Sequence, residues 1–141
     1  MGRIIIDAEH ALLGRLASYA AKKALEGDEI TILNAEKVVV SGTKERVLNE
    51  VRRKLRTRTL GSVDKSPTHP RRPDTYVRRV IRGMLPWKKP KGKEAFRRIK
   101  VFIGVPEEFG DERPIKLGGT DSAKLKCSMI TIMDLVKEIG G

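Results

Sequence analysis

Apolar residues recur along this chain with two periods, and the points where one gives way to the other divide it into elements. Arg3-Ile4-Ile5-Ile6-Asp7 is a continuous β-branched run ended by polar residues, the pattern of a short buried strand. Leu13, Leu16, Ala17, Ala20, Ala21, Ala24 and Leu25 then recur with helical spacing. Arg15, Ser18, Lys22 and Lys23 fall on the opposite side, and Gly27 ends the helix. Glu29–Leu33 reads as a second strand, so strand, helix and strand predict a right-handed parallel crossover. Asn34-Ala35-Glu36-Lys37 is too short for another crossover, which makes Val38-Val39-Val40 a bent continuation or a short edge strand. Ser41-Gly42-Thr43 opens a second helix to about Arg56, with Val47, Leu48, Val51 and Leu55 inward.

Periodicity then stops. Thr57 to Thr75 holds Pro67, Pro70 and Pro73 beside Arg71 and Arg72, and 19 residues are too many for an idle loop in a compact domain. Such a segment is expected to be disordered or to be ordered by a partner. Helical spacing returns from Tyr76 to Leu85, with Tyr76, Val77, Val80, Ile81 and Met84 inward and Arg78, Arg79 and Arg82 outward, and Pro86 ends it. Trp87 to Lys93 reads as a second basic loop, followed by a short helix and a strand over Arg98–Gly104. Val105–Pro114 is an acidic loop carrying Glu107, Glu108, Asp111 and Glu112. In the final helix Thr131 and Asp134 stand at capping-box spacing, Ile132, Leu135, Val136 and Ile139 form the apolar face, and Gly140 follows. The pattern predicts one α/β domain over residues 1–141 on a mostly parallel sheet.

Charge changes this picture from a fold to a binding protein. Residues 46–100 carry 19 Lys and Arg against 4 acids, a local net charge of +15, while the rest of the chain is net −3. A like-charged middle in an otherwise balanced chain repels itself unless something strongly anionic lies against it. Lys and Arg bind a phosphate backbone by releasing its condensed counterions, and Arg adds bidentate geometry. The alternative for any charge run is a solvated helix face, but here the acids that would pair such a face are few. The candidate RNA-binding residues are Arg52, Arg53, Lys54, Arg56 and Arg58, then Arg71, Arg72, Arg78, Arg79 and Arg82, then Trp87, Lys88, Lys89, Lys91, Lys93 and Arg97. RNA is favoured over DNA because zinc-finger spacing, a heptad-linked basic region and a helix-turn-helix are missing, and long Arg/Lys/Pro loops suit the shape of folded RNA. Trp87 has two readings, a base-stacking ring or a cap on the helix end.

Catalytic signals are poor, and no enzyme, cofactor, metal or small-molecule substrate is predicted. Ser41-Gly42-Thr43-Lys44 lacks the Gly-Lys-Ser/Thr order of a phosphate loop and reads as a helix N-cap. His10 and His69 have no metal-ligand spacing. Asp7 and Asn34 close parallel strands, where α/β enzymes keep catalytic groups, but the simpler expectation is that they cap the following elements. Cys127 is read as a passive small residue, and a single cysteine fits a reducing, cytoplasmic setting. No apolar run approaches the roughly 20 residues of a membrane span, and no signal peptide is read at the N-terminus.

Several of these stretches match a known pattern. Ile81-Arg82-Gly83-Met84-Leu85-Pro86, Lys91-Gly92-Lys93 and Arg98-Ile99-Lys100-Val101-Phe102-Ile103-Gly104 resemble the signature of the large-subunit ribosomal protein thirteen family. Leu13-Gly14-Arg15-Leu16-Ala17-Ser18 and Asn34-Ala35-Glu36-Lys37-Val38-Val39 are similar to that family's N-terminal half. Gly104-Val105-Pro106 and His69-Pro70-Arg71-Arg72-Pro73 look like its archaeal and eukaryotic branch. The resemblance implies a three-layer α/β/α sandwich with long basic loops. It implies a structural component of the large ribosomal subunit, one copy per subunit, that binds 23S-type rRNA, adjoins other ribosomal proteins and helps assembly. RNA contacts carry over best to Arg78, Arg79, Arg82, Lys88, Lys89, Lys91 and Lys93, and the match is weakest over residues 107–130. Two other readings stay open from the residues alone: a free RNA-binding regulator, and a small nucleotide-dependent α/β enzyme.

Overall fold

A computed structural model describes residues 2–117 and 126–140, so part of the segment 107–130 lies outside the described residues. Strand β1 (Arg3–Asp7) pairs in parallel with β2 (Glu29–Leu33), and β2 pairs in parallel with β4 (Ile99–Val101), giving the order β1-β2-β4. Helix α1 (Leu13–Glu26) makes the crossover, and Gly27 closes it at φ 108°, a left-handed geometry that suits glycine. The register sets Ile4 beside Ile30 and Ile6 beside Ile32, then Ile30 beside Ile99 and Ile32 beside Val101. These side chains share one sheet face, because alternate residues of neighbouring strands point the same way.

That face carries the main core. Leu16, Ala17, Ala20 and Ala24 of α1, with Val77 and Ile81 of α3 (Pro73–Gly83) and Ala95 of α4 (Pro90–Arg97), pack onto Ile6, Ile30, Ile32 and Ile99. Small alanines on α1 let α3 and α4 approach closely. The opposite face, Ile5 and Leu33, is covered by Phe102 and by Phe109 of a 3-10 turn at Glu107–Phe109, so this outer layer is thin. Ile115 extends the same edge, its N–H donating to Ile5 and its carbonyl accepting from Asp7. A satellite core joins Val47, Leu48 and Val51 of α2 (Lys44–Leu55) to Ile130, Leu135 and Ile139. The last two belong to α5 (Ile132–Ile139), and Ile130 to β5 (Met129–Thr131).

Much of the sequence pattern is recovered, including the inward face of α1 and the Thr131 cap, whose Oγ1 accepts from Asp134 N–H at 3.3 Å. Thr43 caps α2 in the same way at 3.4 Å, as expected for a helix start rather than a phosphate loop. Several expectations are corrected. Val39–Ser41 forms β3, which neither continues β2 nor joins its sheet but pairs antiparallel with β5, an element the sequence pattern left unread. The strand expected over Arg98–Gly104 stops at Val101, although Phe102 and Gly104 still bond to the chain around Ile32 and Asn34. Helix α3 starts at Pro73 and α4 at Pro90, both earlier than read, because proline is pre-set for the first helical turn. Met84 is exposed rather than inward, since α3 ends at Gly83 and Leu85 takes the buried place. No described helix is long and apolar enough to cross a membrane.

Candidate nucleic-acid interface

Helix α4 decides what the arginines of α3 can do. Its close docking depends on Gly92, where an added Cβ would lie 2.0 Å from the Pro86 carbonyl oxygen. Seated there, α4 sets Phe96 edge-on to Trp87, centroids 5.0 Å apart at 86°. The Arg78 guanidinium lies over the Phe96 ring at 4.3 Å and that of Arg82 over Trp87 at 4.9 Å. Each such contact contributes about 0.5–2 kcal/mol and fixes a side chain that would otherwise wave in solvent. Arg78 is thus half-buried against Phe96 of α4, and Arg82 against Trp87 just before that helix, rather than turned fully outward. Arg79 is exposed and donates from Nη2 to the Thr68 carbonyl at 3.1 Å, tying the preceding loop to α3.

No described carboxylate pairs with this group. Arg78, Arg79 and Arg82 have no salt-bridge partner among the described residues, nor do Lys88, Lys89, Lys91, Lys93 or Arg97, the last five all exposed. Buried within this cluster, the Arg78 Nε has no hydrogen-bond acceptor among the described residues. Three arginines and Phe96 line a cleft of about 340 Å³ with Thr68 and Thr75. A second groove, about 460 Å³, runs from Val51, Lys54 and Leu55 of α2 to Tyr76, Arg79 and Val80 of α3. Burial raises the Tyr76 hydroxyl above its ordinary pKa, and the Glu50 carboxylate adds to this.

Other predicted site residues are placed differently. Arg52 faces Glu138 at 3.9 Å, Lys54 faces Glu50 at 3.8 Å, and Arg72 faces Asp74 at 3.4 Å. Arg71 donates to the Ile139 carbonyl at 3.3 Å and so closes the C-terminus of α5. Arg53, Arg56 and Arg58 are exposed on the end of α2 and just beyond it, away from the stacked pairs. The segment from Thr57 onward, expected to have no order of its own, closes on itself. Thr59 N–H donates to Ser66 Oγ at 3.0 Å, and His69 Nε2 lies 3.2 Å from the Thr57 carbonyl. Phe96 was missed by the sequence reading. Pro90 as a helix start, with Gly92, Ala95 and Phe96 at helical spacing after it, is the signal that would have found it.

The strand ends, by contrast, hold a structural knot. Asp7 Oδ1 accepts from the Glu9 N–H at 3.1 Å, the expected cap. Asn34 does not cap the turn that follows it; at φ 58° its Nδ2 donates to Asp7 at 2.9 Å instead. Among the described residues no three His, Cys, Asp or Glu side chains converge on a metal-sized site.

The fold is a small α/β one, and on its α3–α4 side Arg78, Arg79, Arg82 and the Lys88–Lys93 lysines have no carboxylate partner among the described residues. The Ribosomal protein L13 family model matches residues 2–108, and the chain belongs to that family. It is 49% identical to a large ribosomal subunit protein uL13 of Methanococcus maripaludis over 97% of each chain. A Thermoplasma acidophilum protein of the same name is 43% identical over 97% of this chain and 98% of that one. A third, from Methanopyrus kandleri, is 41% identical over 96% of this chain and 86% of its own. The family is one of ribosomal structural proteins, not of enzymes.

Proposed function

We propose that this protein is a structural constituent of the large ribosomal subunit, present there in one copy in the cytoplasm, and that it binds 23S-type rRNA and supports assembly. The observation that carries the reading is the α3–α4 surface, where Arg78 and Arg82 lie stacked on Phe96 and Trp87 with no described carboxylate to neutralise them. Stacking holds their guanidinium edges in place before RNA arrives, which lowers the ordering cost of each phosphate contact. Lys88, Lys89, Lys91, Lys93 and Arg97 widen the positive field around them, and Arg53, Arg56 and Arg58 extend it along α2. Arg52, Lys54, Arg71 and Arg72 have partners within the chain and contribute less. Neighbouring ribosomal proteins meet the faces that this surface leaves free.

Sedimentation of a cell extract in high salt tests the reading. The protein is expected to travel with the large subunit. Recovery in ribosome-free fractions would contradict this and favour a free RNA-binding regulator.

A further inference from the structure

The cleft beside Arg78 asks for a more particular ligand than a phosphate backbone. Its walls are α3 on one side and the Thr68–Pro70 segment on the other, held together by the Arg79–Thr68 bond. At about 340 Å³ it is several times larger than one phosphate needs and lies at the small end of the ~300–1,000 Å³ range for pockets that take a compact molecule. Beside it, the Arg78 guanidinium is backed by the Phe96 ring at 4.3 Å, and both residues line the cleft.

Resting on the rRNA-binding reading above, we infer that this cleft receives a single unstacked nucleotide of the bound RNA. Its base lies along the Arg78 guanidinium, giving the order ring, guanidinium, base. Its phosphate meets the edges of Arg79 and Arg82. RNA loops and bulges offer such splayed bases, and guanidinium planes are among the surfaces that stack them. Arg78 thereby differs from the surrounding lysines: its planar shape matters as well as its charge.

Two measurements on the full chain test this. The first is a titration with adenosine 5′-monophosphate, or with inorganic phosphate at equal concentration, followed through the Arg78 Nε–H and Trp87 indole signals by NMR. The nucleotide is expected to shift both saturably and phosphate to shift them far less. The second is rRNA affinity of Arg78→Lys, which keeps the charge, against Arg113→Lys as control. Arg78→Lys is expected to bind about tenfold more weakly with an unchanged salt slope, and the control to match the wild type. A nucleotide response no larger than that to phosphate overturns the inference, and so does wild-type affinity in Arg78→Lys. Absence of rRNA binding by the wild-type protein would instead overturn the broader reading, and the nucleotide titration would then decide the cleft alone.

Discussion

Two faces of one small sheet each place an arginine over an aromatic ring, and they use it for opposite ends. On the thin side Arg3 lies 5.3 Å over Phe109 and also pairs with Glu112 at 3.4 Å. On the helical side Arg78 and Arg82 lie over Phe96 and Trp87 with no described acid paired to them. The first cation is satisfied, so it pins the 105–114 segment to the sheet and has little left to offer a ligand. The second pair is oriented but not neutralised, and orientation without neutralisation is what an anion site requires. Residue type does not separate a neutralised arginine from an unneutralised one; the nearest carboxylate does.

Breaking the helical side should have the largest effect. Reversal of Arg78, Arg79 and Arg82 together to Glu is expected to abolish rRNA binding in a filter assay. It should also flatten the salt dependence of affinity, by about 0.7–0.9 log units per log unit of salt for each phosphate that is no longer neutralised. Folding should weaken by about 1–3 kcal/mol, read by denaturant melts, because two stacked pairs disappear. Reversal of Lys22, Lys23 and Lys137 is the matched control and should cost little binding.

Gly92→Ala comes next. The added carbon meets the Pro86 backbone, which cannot swing aside like a side chain, so α4 must shift. A decrease of about 2–3 kcal/mol in stability is expected, with weaker rRNA binding although no charge has changed. Unchanged stability would show that the ring platform does not depend on this close approach.

Neutralising Glu107, Glu108, Asp111 and Glu112 probes the other side. If that face points away from RNA, rRNA affinity should stay within about threefold, or ~0.6 kcal/mol. A large gain would place the acidic segment against RNA. The smallest effect belongs to Tyr76, whose pKa is raised by burial first and by Glu50 second. Its contribution to stability is complete below the ordinary tyrosine pKa of about 10 and is lost as pH rises through the folded value. Tyr76→Phe should therefore make urea midpoints fall less steeply above about pH 10 than those of the wild type.

The strands and the inner faces of the helices were legible because burial writes a period into the sequence. Ile4, Ile6, Ile30, Ile32 and Ile99 could be placed from β-branched runs alone, and the face of α1 from its alanines and leucines. The basic surface was legible as composition but not as geometry. Nothing in the spacing of Arg78 and Arg82 shows that an aromatic ring lies under each, because those pairs join separate segments of the chain. The pairing of β3 with β5 was hidden for the same reason. Two short runs, Val39–Ser41 and Met129–Thr131, meet across most of the chain, and neither is long enough to declare its partner.

Lysine footprinting with and without large-subunit rRNA tests the central claim most directly, since it compares all the surfaces in one sample. Lys88, Lys89, Lys91 and Lys93 are predicted to become unreactive on binding while Lys22, Lys116 and Lys137 keep their reactivity. Protection of Lys116, beside the acidic segment, with Lys88 to Lys93 still reactive would contradict the claim.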